Sequence, residues 1–173
     1  MIDAASPLDT PTPVDLPHLR RCLELAAEAL EHGDGPFGSV LADGRGTALH
    51  EDRNREQSTG DPTAHPELAL ARWAALNLDA AGRAAATVYT SGEHCAMCAA
   101  AHAWAGIGRI VYVASARQLA EWRAGWGAPP SPVRPLPIQD VAPAVEVVGP
   151  VPALVDEIRA LHRRSVGLQG LEP

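Results

Sequence analysis

With 173 residues and a net charge of −7, the chain is long enough to bury a core of its own as one compact domain. The acidic balance weighs against nonspecific nucleic-acid binding, which rests on Lys and Arg neutralising phosphates, and no apolar run approaches the roughly 18–20 residues of a membrane span. Three cysteines and no charged-then-apolar leader at the start fit a soluble protein of the reducing cytoplasm without structural disulfides.

Residues 1–16, with Pro7, Pro11 and Pro13, read as a loose arm and 167–173 as a flexible tail, leaving a domain over 17–166. Asp15 is placed to cap a helix entered through Pro17, with Leu19, Leu23, Ala26, Ala27 and Leu30 as its apolar stripe and Gly33 as its stop. FGSVLA, DGRG and TALHE then read as two strands joined by a tight hairpin. The polar stretch 52–63 reads as a loop and 66–78 as an apolar helix. A strand at 86–90, a helix at 95–105, a strand at 109–114 and a short helix at 116–123 follow. PPSPVRPLP breaks regular structure as a long loop before a strand at 145–148 and a last helix at 152–164. A hairpin followed by alternating helices and strands implies a mixed sheet between two helical layers, a three-layer α/β/α domain.

In SGEHCAMCAA, Cys95 and Cys98 stand at i and i+3 of a helix start, on one face and where the helix dipole favours thiolates. Alone, the pair reads equally as a metal site, a redox dithiol or two small buried residues. DPTAHPELALARWAAL adds His65 at the entry to a second helix, Pro66 in its first turn and Glu67 just inside it. Both helices leave the same sheet edge with one strand returning between them, so their N-termini can meet. His65, Cys95 and Cys98 then make three of the four ligands of a tetrahedral zinc, and an open fourth position is the mark of a catalytic site. Glu67 is placed to move the proton of an activated water without being a ligand.

Together these residues resemble the zinc deaminases of nucleobases and nucleosides, whose signature is H-x-E followed by P-C-x-x-C on a second helix. Here the halves are His65-Pro66-Glu67 and His94-Cys95-Ala96-Met97-Cys98. The resemblance runs from Leu19 to Arg164 and implies a cytidine-deaminase-like fold with a five-stranded mixed sheet and one Zn2+ per chain. It implies hydrolytic deamination, in which activated water attacks the amine-bearing ring carbon, Glu67 shuttles protons and ammonia leaves. It places a base-binding asparagine where Asn54 stands, upstream of the zinc histidine. GPFGSVL resembles a strand of guanine and cytosine deaminases and brings Phe37 beside the bound ring, while Trp104 resembles a tryptophan of guanine deaminases. Pro66 replaces the usual alanine, which a first helical turn tolerates. His94 replaces the usual proline, which makes it a candidate substrate contact and bears on the choice of base. The branch also implies a homodimer paired through the helices around its active sites.

The resulting expectation is deamination of a free nucleobase, guanine first, with cytosine, isoguanine or an aminotriazine such as ammeline as alternatives. A tRNA adenosine deaminase is a rival within the class, and a noncatalytic zinc-stabilised binding domain a rival outside it. Cys22 reads as a core or partly exposed thiol, His102 as structural, and His18, His32, His50 and His162 as surface residues.

Overall fold

A computed structural model of the chain describes residues 11–168, so most of the expected arm and tail lie outside the described residues. In chain order the elements are α1 (Asp15–Glu31), β1 (Gly38–Ala42), β2 (Ala48–Arg53), α2 (Glu56–Thr59), α3 (Pro66–Asn77), α4 (Ala80–Ala85), β3 (Thr87–Gly92), α5 (Ala96–Ala105), β4 (Arg109–Ala114), α6 (Ala116–Gly125), α7 (Ile138–Val141), β5 (Glu146–Val148) and α8 (Pro152–Leu168). The strands form one five-stranded mixed sheet in the order β2-β1-β3-β4-β5. β1 runs antiparallel to β2 and β3, and β3, β4 and β5 are parallel. This is the α/β/α architecture the sequence implies.

Every residue of β1 and β3 is buried, as strands covered by helices on both faces require. On one face α1 and α8 bury Leu19, Leu23, Ala26, Leu154 and Ile158 against Val40, Tyr89 and Val111. On the other, Leu70, Ala71 and Ala74 of α3 pack on Leu41 and Val88, and Ala99 of α5 joins Ile110, Tyr112 and Ile138 of α7. Because β3 returns between α3 and α5, both helices start at the carboxyl edge of the parallel strands, the usual place for a site in an open α/β sheet.

α1 lies unusually close to β1. A Cβ added to Gly38 would stand 2.4 Å from Leu25 Cβ and 2.5 Å from the Cys22 carbonyl oxygen, so the strand reaches its seat only without a side chain there. Gly38→Ala is expected to lower stability by about 3 kcal/mol, the upper range for overpacking a filled core, read as a lower urea midpoint at unchanged slope.

Several local expectations differ from the structure. Asp15 is the first residue of α1 rather than its cap, and it is buried. It accepts hydrogen bonds from Tyr89 Oη at 2.9 Å and Arg109 Nη1 at 2.8 Å, which ties the helix start to β3 and β4. Burial alone would raise its pKa, but the bonds from Arg109, Thr12 and Tyr89 prevail and lower it from 3.8 to about 2. A depressed carboxyl stabilises the fold above its unfolded pKa and loses that contribution as pH falls through the folded value. Wild-type stability should therefore drop between about pH 4 and pH 2, with Asp15→Asn showing a lower but flatter profile across that window in thermal melts.

α2 forms inside a stretch expected to be a loop, α7 directly follows the expected proline-rich loop, and α4 is an added helix whose cap, Asp79, accepts from Gly82 N at 2.7 Å. α8 runs to Leu168, past the expected stop. His162, expected on the surface, is buried with its ring edge-on to Phe37 at 4.9 Å. It sits four residues after Ile158, which itself follows Leu154 by four, so it lies on the helix's buried stripe. Cys22 and His102 are both buried.

Candidate metal centre and active site

His65 and Cys95 are the N-cap residues of α3 and α5, both extended in backbone conformation, and neither uses its side chain to cap its helix. Pro66 fills the first helical position, where a missing N–H costs nothing. Both side chains are thus free to turn toward each other across the adjacent helix starts. His65 Nδ1 lies 3.7 Å from Cys95 Sγ and 3.5 Å from Cys98 Sγ, and the three donor atoms all lie within 4.8 Å of one another. A tetrahedral zinc with ordinary Zn–N and Zn–S lengths needs N···S edges of about 3.6 Å, so this donor set fits the ion in both softness and spacing.

The charges of the set are coupled. The Cys98 thiol and the His65 ring hydrogen-bond to Cys95 and bring its pKa down to about 4, while contact with Cys95, and then burial, raises Cys98. Contact with Cys95 and then with Glu56 raises His65 to about 10. Thiolate character at a helix start is the form in which cysteine ligates metal.

Glu67 is the second residue of α3 and is buried. Its Oε1 accepts from Thr90 Oγ1 at 2.7 Å and from Ser39 Oγ at 3.2 Å, and those two hydroxyls are themselves 2.9 Å apart. Burial raises the carboxyl pKa, opposed by the Thr90 bond and the charge of His65, and its own charge acts on Cys98. A carboxyl held in one orientation and pushed toward neutrality is suited to taking and giving a proton near neutral pH.

Asn54, also buried, follows β2 and exchanges two hydrogen bonds with Glu56: Nδ2 donates to Glu56 Oε2 at 3.1 Å, and Glu56 N donates to Asn54 Oδ1 at 3.0 Å. The other carboxylate oxygen, Oε1, lies 3.0 Å from His65 Nε2. Phe37 stands just before β1, against Gly35 and Gly92, where a Cβ would come within 3.4 and 3.2 Å of its ring. A cavity of about 230 Å³ opens beside His65, lined by Asp52, Arg55, Thr63, Leu68 and Arg72 among others.

Residues 14–114, which carry all of these groups, match the family described as the cytidine and deoxycytidylate deaminase zinc-binding region. The chain belongs to this deaminase family. It is 32% identical to the probable cytosine deaminase of Schizosaccharomyces pombe over 141 residues, 79% of this chain and 83% of that one. It is 36% identical to the guanine deaminase of Bacillus subtilis over 104 residues, 60% of this chain and 66% of that one. The solved structure of that enzyme aligns over 70% of this chain and 82% of its own with a TM-score of 0.54. The tRNA-specific adenosine deaminase of Haemophilus influenzae is 37% identical over 97 residues, 56% of each chain. Three deaminase types at similar distance fix the family and leave its substrate open.

In this deaminase chain none of the four expected substrate residues, Asn54, Phe37, Trp104 and His94, lines the His65 cavity. Trp104, on α5, is 90% exposed, so it neither packs in the core nor encloses a ligand within its own chain. His94 is 1% exposed and packs edge-on against His102 at 5.4 Å, and neither of its ring nitrogens has a hydrogen-bond partner among the described residues. Burial holds the ring neutral by pushing its pKa well below the usual value. Sequence reasoning missed Ser39 and Thr90, the two hydroxyls on Glu67, and Glu56, which joins His65 to Asn54. The first two had a signal, polar residues inside strands that are otherwise apolar. Glu56 had none, since it sits in a polar stretch beside other charged residues.

Proposed function

We infer that the chain is a hydrolytic deaminase of a free nucleobase, with guanine the leading substrate. The observation that carries this reading is the buried Glu67 carboxyl, fixed by Thr90 and Ser39 beside the His65–Cys95–Cys98 donor set. Zinc in such a set supplies Lewis acidity that activates water near neutral pH. Glu67 is placed to take one proton of the attacking water and give it to the ring nitrogen, then to take the second from the added hydroxyl and give it to the amine, which leaves as ammonia. Backbone N–H groups at the starts of α3 and α5 face the developing negative charge with the positive ends of both helix dipoles. Asn54 hydrogen-bonds the base, and Phe37 supplies an apolar wall beside the ring.

The free-base assignment is supported by the net charge of −7, which disfavours a phosphate backbone, and by the likeness to a guanine deaminase. No helix among the described residues is long and apolar enough to cross a membrane, and three free cysteines fit a reducing cytoplasm. The deciding experiment is ammonia release from guanine, cytosine, isoguanine and ammeline, run beside inosine formation in tRNA. Release from guanine above the other bases is the expected result, and activity on tRNA alone would overturn the assignment.

The homodimer belongs to the same reading. Trp104 on α5 and Leu76 on α3, the neighbouring helix of the same layer, are 90% and 82% exposed, apolar surface that a second copy of the chain would cover. Trp104→Ala is expected to shift sedimentation from dimer to monomer while leaving the chain's far-ultraviolet spectrum unchanged, since no core contact is lost. A dimer of unchanged affinity would remove Trp104 from the interface.

A further inference from the structure

Resting on this nucleobase-deaminase reading, we propose that Glu56 is a positioning residue that sets the zinc-ligating face of His65 and the base-reading face of Asn54 with one carboxylate. His65 Nδ1 faces the two cysteine sulfurs, and Nε2 faces Glu56 Oε1 at 3.0 Å. An ionised carboxylate only accepts hydrogen bonds, so Nε2 carries the proton and Nδ1 presents its lone pair to the metal side. Carboxylates behind metal-binding histidines act in this way, fixing both the tautomer and the ring orientation.

The same logic settles the Asn54 amide, whose oxygen and nitrogen are otherwise interchangeable by a flip. Its group facing Glu56 Oε2 at 3.1 Å must be the donor NH2, and its group facing Glu56 N at 3.0 Å must be the acceptor oxygen. Each of these uses one of the amide's capacities. One N–H and one oxygen lone pair remain for a ligand. A donor and an acceptor on one amide suit a heterocycle that carries both a ring N–H and a carbonyl.

Glu56 is itself held. It opens α2, a four-residue helix whose backbone N–H groups at Gln57 and Ser58 donate to Asp34 Oδ1 at 2.9 and 2.8 Å. Asp34 is buried and bridged by Arg53 at 3.0 Å. The short helix therefore has a fixed seat, and its one inward-reaching carboxylate joins two residues of the site that are eleven positions apart in sequence.

Glu56→Ala removes both links. Glu56→Gln keeps the shape but offers one acceptor where His65 and Asn54 need two, so it breaks one link. Zinc affinity measured by chelator competition on the purified full chain should fall about 10- to 100-fold in Glu56→Ala, the range for loss of a carboxylate behind a metal ligand, with a smaller fall in Glu56→Gln. At saturating zinc, KM for guanine should rise while kcat changes less. In the Asn54→Ala background the same substitution should leave KM where Asn54→Ala alone puts it, because the carboxylate reads the base only through the amide. A zinc dissociation constant in Glu56→Ala within twofold of wild type would overturn the proposal. If Glu56→Ala does not fold, unchanged zinc affinity together with unchanged KM in Glu56→Gln would overturn it equally. The zinc measurement needs no substrate, so it separates failure of this proposal from failure of the guanine assignment. A normal zinc response with no guanine turnover in wild type would sink only the latter.

Discussion

Glu67→Gln is expected to lower kcat by roughly 10²- to 10⁴-fold, the usual contribution of a placed general acid–base group, while the protein stays folded and keeps one zinc. In barrier height this is about 3–5 kcal/mol. The amide is isosteric, and its oxygen still accepts from Thr90 Oγ1, so the 2.7 Å contact to β3 survives. What disappears is the ability to take a proton. Stability should hold or rise slightly, because burial disfavours the ionised carboxylate and a neutral group avoids that penalty. A noncatalytic zinc-stabilised domain predicts the same folding and metal content but no functional change. Mass spectrometry of the metal-loaded variant, thermal melting and steady-state rates together decide between them.

Cys98→Ser should remove the metal rather than the proton shuttle. Cys98 is buried and 3.5 Å from the His65 nitrogen, with no alternative soft donor among the described residues to take its place. A structural zinc site contributes about 12 kcal/mol; if three protein ligands share this, losing one costs about 4 kcal/mol, or about a thousandfold in affinity. Activity is then lost because the ion is lost, and added zinc at millimolar concentration restores only part of it. The wild-type melting temperature should fall on chelation, whereas that of Cys98→Ser should not respond. A thiol pair with a redox role predicts the opposite, a metal-free wild type sensitive to oxidant.

The residues behind these two effects were also the most legible in the sequence. His65-Pro66-Glu67 and Cys95/Cys98 announce themselves because proline fixes a first helical turn and because i, i+3 spacing brings two sulfurs to one side. Their meeting follows from topology alone, once one strand returns between two helices. The buried runs of β1 and β3 and the stripe of α1 were equally plain. Short elements were not. A helix of four residues has no period to detect, and α7 is seated by a remote group: Glu93 Oε1 accepts from Ile138 N at 3.0 Å while Oε2 accepts from Ala116 N at 2.9 Å. Asp79 did offer a cap signal for α4, and the four-residue spacing of Leu154, Ile158 and His162 did offer one for the buried histidine.

Side-chain destinations that depend on tertiary contacts stayed out of reach. Asn54 was identifiable as a base-binding candidate from resemblance, but not the fact that Glu56 holds it. Trp104 carried the same resemblance, yet its side chain is 90% exposed, so a position in sequence said nothing of what surrounds it. His94, the point of departure from the family's pattern, pairs with a second buried histidine in the helix behind it.

The decisive measurement is ammonia release from guanine during zinc reconstitution of stripped wild-type protein. A zinc-dependent guanine deaminase should show a rate that is zero without metal, rises in proportion to zinc and levels off at one ion per chain. A rate independent of zinc, or a fully loaded protein that releases no ammonia from any amino-heterocycle tested, would contradict that assignment.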